Sequence, residues 1–181
     1  MVSIQCSELD KVWFAVAVDE KRVIAASFST VSRSEAFDSC KRSLRSGCEI
    51  RDKETLLGGS VIRSLAEIYR GGDMDEEIPI QLSGLPPFEK RVLEQVRKIP
   101  KGRVATYAST ASRAGSPRAW RAVGNAMAKN PFVLIVPCHR VIRSTMETGN
   151  YGRRPEIKRE LLEREGVAFR RNRVLPECLW R

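Results

Sequence analysis

The stretch Pro131-Phe-Val-Leu-Ile-Val-Pro-Cys-His-Arg-Val-Ile142 joins an unbroken apolar run to a candidate nucleophile. Residues 132–136 are mostly β-branched or aromatic, which predicts a short buried strand. Pro137 cannot donate to a strand ladder, so we expect the strand to end there. Cys138 and His139, the single histidine of the chain, follow directly. The pattern therefore predicts a thiol and an imidazole at the end of a buried strand.

This Cys-His pair is suited to nucleophilic chemistry. A cysteine attacks as the thiolate, and an unperturbed pKa of about 8.5 leaves only a few per cent ionised at neutral pH. We expect the imidazole of His139 and the cations Arg140 and Arg143 to raise that fraction. The alternative, on adjacency alone, is a buried cysteine beside a surface histidine.

Composition indicates an intracellular protein of one or two domains. The 181 residues are 42% hydrophobic and 30% charged, as in ordinary globular proteins. The sequence has no apolar run of the roughly 20 residues that a membrane span needs, and its polar start does not resemble a secretory signal. Five scattered cysteines argue against a disulfide framework, although a Cys40–Cys48 bridge stays open for a hyperthermophilic source. A single histidine and the absence of a Cys-x-x-Cys pair argue against zinc, and we expect no metal.

Charge divides the chain into two predicted domains. Residues 1–84 hold 11 Lys and Arg against 14 Asp and Glu, a net charge of −3, whereas residues 85–181 hold 21 against 8, a net charge of +13. The chain-breaking stretch Ser83–Pro87 lies at the change of sign. We therefore predict domains at 1–84 and 85–181 and a polyanionic partner for the second. The alternative is a solvated basic surface without a partner.

The first half reads as an α/β scaffold without a chemical motif. Strand-like runs at 12–18 and 23–29 predict a β-hairpin. Helices are expected from a cap at Ser32 or Ser34 to about residue 44, and over about 55–70. Residues 78–82 predict an edge strand or an extended linker.

The second half contains a predicted helix-turn-helix. A helix is expected from Pro87, and residues 103–106 are extended. Thr106 is placed to cap a helix over 107–113, and residues 114–117 form a turn. Ser116 is predicted to cap a second helix that reaches about Lys129.

The second helix of this motif combines small residues with arginines. Small side chains let a helix approach a nucleic-acid groove closely while arginine supplies charge or a stacking plane. An αα-hairpin packed in a core is the alternative for this segment. The candidate DNA-binding residues are Arg118, Ala119, Arg121, Ala122 and Gly124.

Several blocks together resemble the O6-alkylguanine-DNA alkyltransferases, also called methylated-DNA–protein-cysteine methyltransferases. The block Pro137-Cys-His-Arg-Val141 resembles the active-site signature of that family. Two further segments, Arg121-Ala-Val-Gly-Asn-Ala-Met127 and Asn130-Pro131, resemble the recognition helix of the family and its hinge. The blocks Gly102–Tyr107, Gly149–Gly152 and Leu161–Gly166 are similar to further family segments. The resemblance covers about residues 85–166 and implies a ribonuclease-H-like first domain and a mostly helical, winged-helix-like second domain.

The resemblance also implies a reaction and its catalytic residues. Cys138 would accept an alkyl group from O6-alkylguanine, or O4-alkylthymine, in a single turnover, because a thioether does not leave again. His139 would act as a base through a water, oriented by Glu165, and the Tyr107 hydroxyl would serve the departing guanine. No cofactor is implied.

Substrate and DNA contacts follow from the same resemblance. The carbonyls of Cys138 and Val141 and the N–H of Gly152 would bind the base, in a loop that includes Tyr151, and Asn130 would hold the segment around the cysteine. Arg121 would fill the space of the flipped nucleotide, with minor-groove binding that is independent of sequence. Thr106 and Arg140 complete the predicted DNA-binding set. We expect a monomer with no membrane partner, cytoplasmic and nucleoid-associated in a prokaryote or nuclear in a eukaryote.

Three positions depart from the pattern of the family. Thr110 stands where leucine or isoleucine is common, so we expect the first helix of the motif to pack differently. Arg153 and Arg154 stand where a small residue is common, which would alter tolerance of bulky alkyl groups. Two rival classes explain only part of the sequence. A helix-turn-helix regulator leaves the Cys-His pair unexplained, and a cysteine hydrolase leaves the arginine-bearing helix unexplained.

Overall fold

The computed structural model describes residues 1–44, 47–73, 77–152 and 154–181. The chain forms two compact units. Unit 1 comprises Met1–Tyr69, Asp73–Ser83 and Pro131–Ile135, and unit 2 comprises Arg70–Gly72, Gly84–Asn130 and Val136–Arg181.

Unit 1 is built on a four-stranded mixed sheet. Its strands lie in the order β3-β2-β1-β4, with β4 parallel to β1 and the other pairs antiparallel. The strands are β1 (Val2–Leu9), β2 (Val12–Val18), β3 (Val23–Ser29) and β4 (Ile50–Asp52). The predicted hairpin is confirmed at both strands. Strand β1 was not predicted, although its alternation of Val2, Ile4 and Cys6 has the period of two that a strand requires.

Two helices pack on this sheet as the sequence predicts. Helix α1 (Arg33–Arg42) is capped by Ser32, whose hydroxyl accepts a hydrogen bond from the Glu35 N–H. Helix α2 (Leu56–Tyr69) presents an apolar face and is followed by Gly71, whose φ of +89° suits glycine. Cys40 lies buried in α1, and all five cysteines are free thiols.

The apolar run that precedes Cys138 is buried, but the predicted strand over 132–136 is wrong. The Pro131 carbonyl accepts from the Ala26 N–H at 2.7 Å, and the Val133 N–H donates to the Ala26 carbonyl at 3.2 Å. This single parallel bridge to β3 is followed by a turn in which Leu134 adopts a φ of +71°. The run therefore bends, because burial of its side chains does not require a continuous ladder. Residues 78–82 likewise make one bridge to β3, between Val23 and Ile80.

Unit 2 is mostly helical. It contains two small sheets, a parallel pair β5-β6 and an antiparallel pair β7-β8. Its helices are α3 (Pro87–Arg97), α4 (Tyr107–Arg113), α5 (Trp120–Ala128) and α6 (Pro155–Arg164), and its strands are β5 (Ala105–Thr106), β6 (Val141–Ile142), β7 (Phe169–Arg170) and β8 (Arg173–Val174).

The helix-turn-helix segment is present with one changed boundary. Thr106 caps α4 in a reciprocal capping box with Ser109, as predicted. Helix α5 begins at Trp120, so the predicted cap at Ser116 is wrong. The Ser116 carbonyl instead accepts from the Ala119 N–H at 2.9 Å and closes a turn that contains Pro117. Arg118 and Ala119 therefore precede the helix instead of lying within it.

The tail after α6 docks on the segment that leads into α4. The Val104 N–H donates to the Cys178 carbonyl at 2.9 Å, and the Trp180 N–H donates to the Val104 carbonyl at 2.8 Å. The Arg113 guanidinium lies over the Trp180 ring, 4.1 Å from its centroid. The tail thus fixes both ends of the α4 region. Among the helices that the structure describes, none has the length and apolar character of a membrane span.

Thr110→Val is expected to stabilise the protein. Thr110 is buried in α4, and its hydroxyl oxygen has no hydrogen-bond partner among the described residues. Valine keeps the shape and removes the unsatisfied group, so we expect the free energy of unfolding in urea to rise by about 1 kcal/mol. The exposed Thr145, whose hydroxyl donates to Glu147, is the control, and Thr145→Val should change stability by less than about 0.5 kcal/mol. A Thr110→Val protein less stable than wild type would contradict this expectation.

Candidate active site

The sequence motif Cys138-His139-Arg140 forms a 3₁₀ turn in unit 2, immediately before β6. The Arg140 N–H donates to the Pro137 carbonyl at 2.9 Å, which closes the turn. The Asn130 side-chain amide donates to the Val136 carbonyl at 3.0 Å and ties down the segment that enters it. Asn130, for which the family resemblance implies a role in holding this segment, thus contacts the residues that lead to the cysteine.

Behind the turn, one carboxylate organises His139 and Arg140. Glu165, at the C-terminal end of α6, accepts from His139 Nε2 at 2.8 Å. Arg140 donates to the same carboxylate from Nε at 2.9 Å and from a terminal nitrogen at 2.8 Å. All three side chains are at least nine-tenths buried. Burial raises the pKa of Glu165, but the hydrogen bonds and charges of His139 and Arg140 outweigh it and lower the pKa to about 2.

This geometry fixes the tautomer of His139. An ionised carboxylate only accepts hydrogen bonds, so Nε2 carries the proton and Nδ1 carries the lone pair. Nδ1 is buried and has no hydrogen-bond partner in the part of the chain that the structure describes. Burial lowers the pKa of His139, against the opposing effect of Glu165, so the ring is neutral. A neutral imidazole with a free lone pair is able to accept a proton.

The surroundings of Cys138 act in opposite directions on its thiol. Burial raises the pKa of Cys138 above its ordinary value, and the side chains of Asn130 and Tyr151 and the charge of Lys158 offset only part of that rise. The sequence predicted this effect for Arg140 and Arg143, but the cation that lowers the pKa of Cys138 most is a different one. The cation that acts on the sulfur is Lys158.

Sequence reasoning missed Lys158. It lies on the inner face of α6, 1% exposed, and its ammonium donates to the Val141 carbonyl at 2.5 Å. Burial lowers its pKa to about 8, against the effect of the Cys138 charge. The available signal was its spacing, because Leu161 and Leu162, three and four residues later, mark the buried face of the same helix.

Tyr107, at the first position of α4, faces this cluster. The Lys158 ammonium lies 5.8 Å from the centroid of its ring. Burial and the charge of Cys138 raise the pKa of the Tyr107 hydroxyl, with Arg143 opposing. The phenol therefore stays protonated and keeps its hydrogen for donation.

Of the substrate-binding candidates, Asn130 and Tyr151 act directly on the Cys138 thiol. The carbonyl of Val141 already accepts from Lys158 and has a second lone pair for a ligand. Gly152 adopts a φ of +54° in an exposed loop, next to Tyr151, whose hydroxyl is buried. Arg154 precedes α6 as its N-cap residue, whereas the predicted effect of Arg153 lies outside the described residues.

Most of the DNA-binding candidates share the surface of the helix-turn-helix segment. Arg118 and Arg121 are exposed, and Ala119, Ala122, Gly124 and Thr106 are half-buried. A side chain at Gly124 would meet no atom within 4 Å, so packing does not explain the glycine. Arg140 is the exception, because its guanidinium is buried against Glu165 and the Ile99 carbonyl. The predicted DNA contact of Arg140 is therefore wrong.

The sequence of this chain is similar to those of known proteins. Residues 87–167 match the DNA-binding domain of 6-O-methylguanine DNA methyltransferase. The methylated-DNA–protein-cysteine methyltransferase of Methanothermobacter thermautotrophicus is 38% identical over 111 residues, which cover 60% of this chain and 61% of that protein. The corresponding protein of Thermococcus sibiricus is 42% identical over 127 residues, 70% of this chain and 69% of that one.

The fold of this chain is also similar to that of a solved structure. The crystal structure of Mycobacterium tuberculosis O6-methylguanine methyltransferase is similar with a TM-score of 0.71 and 26% identity, over 91% of this chain and 93% of that one. This likeness extends the match to the α/β first half, where the family model does not reach. On the sequence identity and the shared fold together, the chain belongs to the methylated-DNA–protein-cysteine methyltransferase family.

Proposed function

We propose that this chain repairs alkylated DNA by transferring the alkyl group of O6-alkylguanine to the sulfur of Cys138. Family membership supplies the class of reaction, alkyl transfer to a protein cysteine. The observation that carries the assignment to Cys138 is its buried setting. Three groups that stabilise a thiolate surround the sulfur, and a neutral imidazole with a free lone pair is the next residue.

Activation of the thiol uses the pair His139–Glu165. Nδ1 of His139 takes the thiol proton, directly or through a water, and the carboxylate of Glu165 stabilises the imidazolium that forms. Lys158, Asn130 and Tyr151 stabilise the thiolate that remains. Because Cys138 is buried, the thiolate is weakly solvated and reacts readily with an alkyl carbon held next to it.

The transfer itself is a displacement at carbon. The thiolate attacks the alkyl carbon, a carbon–sulfur bond forms, and the bond from carbon to guanine O6 breaks. The electron pair passes to the guanine, which takes a proton or a hydrogen bond from the Tyr107 hydroxyl. The Cys138 and Val141 carbonyls accept from the guanine amino group, and the Gly152 N–H donates to O6. The alkyl group does not leave the thioether again, so each protein molecule reacts once. O4-alkylthymine can react by the same displacement.

DNA is engaged by the helix-turn-helix segment from the minor groove. Gly124, which no neighbour fills, leaves room for the DNA backbone or the groove wall. Arg121 fills the space of the extruded nucleotide, and Arg118 and Thr106 contact phosphates. Ala119 and Ala122 are small, so they let this segment of the protein lie close to the DNA. Readout of the minor groove is degenerate, which suits a protein that must act in any sequence.

The two halves of the chain have different roles in this proposal. Residues 1–84 serve as a ribonuclease-H-like scaffold, because they hold a mixed sheet with two helices and none of the site residues. Residues 85–181 form the winged-helix-like, DNA-binding and alkyl-transfer domain. A single chain contains every group the reaction needs, so the protein acts as a monomer and without a cofactor.

Lys158→Met is expected to slow the reaction and to shift its pH dependence. Removing the cation raises the pKa of Cys138, so less thiolate is present at neutral pH. Each pKa unit reduces the thiolate fraction about tenfold, and we expect about that loss in the rate with O6-methylguanine free base at pH 7. The pH range in which the rate increases should shift to higher values in Lys158→Met than in wild type.

The exposed Lys98 of the same unit provides the control. Lys98→Met removes one positive charge that is not among those acting on the pKa of Cys138, and it should leave the pH profile unchanged. A Lys158→Met profile that stays in place, or moves to lower pH, would contradict the role given to Lys158.

The proposed function is tested by stoichiometry. The protein is incubated with an excess of duplex DNA that contains O6-methylguanine, and methyl transfer is followed to completion. We expect transfer to stop at one methyl group per protein molecule, with the excess O6-methylguanine left unrepaired in the DNA. Continued turnover would indicate a hydrolase or another enzyme instead.

A further inference from the structure

Trp120 is a large aromatic residue in an unexpected place. It is 47% exposed at the first position of α5, a helix whose outer surface otherwise carries small residues, Asn125 and arginine. The other two tryptophans, Trp13 and Trp180, are both half-buried or better covered by their own unit. Leaving an indole in water forgoes the stabilisation that burial would give it, so folding alone does not explain its position.

The indole is covered on one side by the neighbouring arginine. The Arg121 guanidinium lies 4.6 Å from the centroid of the Trp120 ring, within the range of a cation–π contact. No ion pair of Arg121 with an acidic residue occurs among the described residues. The pair therefore presents to solvent an aromatic plane backed by an uncompensated positive charge.

A flat, apolar surface with a positive charge behind it matches one ligand well, the face of a nucleobase next to phosphates. In an intact duplex those faces are hidden by stacking. Extrusion of a nucleotide exposes the faces of the bases that flanked it and the pairing edge of the base opposite. Minor-groove proteins frequently insert apolar side chains at such opened steps.

We propose that the indole of Trp120 stacks on a nucleobase exposed when the damaged nucleotide leaves the duplex, next to the space that Arg121 fills. This inference rests on the proposed function, because it needs a flipped nucleotide. It adds a second, aromatic contact to the DNA surface and explains why α5 begins with tryptophan. Trp120 acts on duplex DNA and has no part in the reaction at sulfur.

The test compares two substrates in three variants. Rates of methyl transfer are measured with duplex O6-methylguanine DNA and with O6-methylguanine free base, and their ratio is compared between proteins. A stacked base is worth enough that Trp120→Ala should lower the ratio about tenfold. Trp120→Phe should restore most of it, whereas Trp120→Leu, which is apolar but cannot stack, should not.

Trp180→Ala is the matched control. It removes a second arginine-covered indole of unit 2, on the C-terminal tail instead of α5, and should leave the ratio unchanged. An unchanged ratio in Trp120→Ala, or equal rescue by leucine and phenylalanine, would overturn the stacking role.

A fluorescent base reports the contact directly. With 2-aminopurine opposite the lesion or beside it, binding of wild type should quench the fluorescence that extrusion unmasks, and Trp120→Ala should quench it less. Equal quenching by both proteins at each position would count against the proposal. If wild type itself transfers no methyl group, the proposed function fails. If wild type reacts and Trp120→Ala keeps the same ratio, only the inference about Trp120 fails.

Discussion

Cys138→Ser is expected to abolish alkyl transfer. A serine hydroxyl of nearly the same size is not ionised near neutral pH, and the groups around Cys138 stabilise a thiolate that serine does not form. Loss of the nucleophile should lower the rate with duplex DNA or free base by at least about a thousandfold. Single-turnover kinetics with methyl-labelled DNA measure the loss.

Cys178→Ser separates this effect from the general cost of replacing a buried thiol. Cys178 is 7% exposed and Cys138 is 6% exposed, and both belong to unit 2. The sulfur of Cys178 accepts from the Ala168 N–H and faces none of the site residues described above. We expect the control to react like wild type. Residual transfer by Cys138→Ser above the background of protein-free DNA would show that another group is the acceptor.

Glu165→Gln is expected to slow the reaction and to destabilise the fold. The amide removes the charge that stabilises the imidazolium of His139, and it leaves the guanidinium of Arg140 buried without an anion. We expect the rate with free base to fall by about a hundredfold or more. Breaking a buried ion pair on one side should lower the free energy of unfolding by about 3–5 kcal/mol.

The stabilisation that Glu165 gives to the folded protein depends on pH and decreases in acid. The pKa of Glu165 is about 2 in the folded protein, below the value of about 4.3 for an exposed glutamate. Its contribution to stability is therefore complete above pH about 4.3 and is lost as the pH falls towards 2. Urea unfolding in that range should show a steep loss for wild type and a flatter curve for Glu165→Gln.

Arg140→Gln distinguishes the chemical role of Glu165 from its structural one. This variant removes the cation of the Arg140–Glu165 pair but leaves the carboxylate and its hydrogen bond to His139 in place. It should also lose stability, yet retain more of the free-base rate than Glu165→Gln does. Equal rates in the two variants would show that Glu165 acts only by holding the turn.

Local signals in the sequence predicted the elements whose boundaries depend on neighbouring residues. The hairpin of β2 and β3 and the cap of α4 by Thr106 are of this kind, since turn and cap chemistry act within a few residues. The start of α5 was misplaced because Ser116 fits a helix cap and a turn equally well, and only the closed turn to Ala119 decides between them.

The errors around Cys138 have a common origin in distant contacts. The strand predicted over 132–136 depended on apolar composition, but its shape is set by a bridge to Ala26, more than a hundred residues earlier. Arg140 looked available to DNA because its partner Glu165 lies 25 residues later in the chain. A sequence lists charges without showing which of them meet.

Lys158 is a site residue that sequence reasoning did not select. A lysine among Glu156, Arg159 and Glu160 resembles the solvated face of a helix, so nothing singled it out. The turn of the helix nevertheless brings it to the side of Leu161 and Leu162, where its ammonium reaches the Val141 carbonyl and its charge acts on the thiol. The proposed nucleophile and base were predicted from the motif, whereas the buried cation that acts on the proposed nucleophile could be found only from the fold.

The most direct test of the central claim is tandem mass spectrometry of the reacted protein. After incubation with duplex DNA containing O6-methylguanine, the digested protein should carry one added methyl group, and fragmentation should place it on the sulfur of Cys138. Methyl found on Cys6, Cys40, Cys48 or Cys178, or no methylated peptide while the DNA loses its lesion, would contradict the assignment of Cys138 as the acceptor.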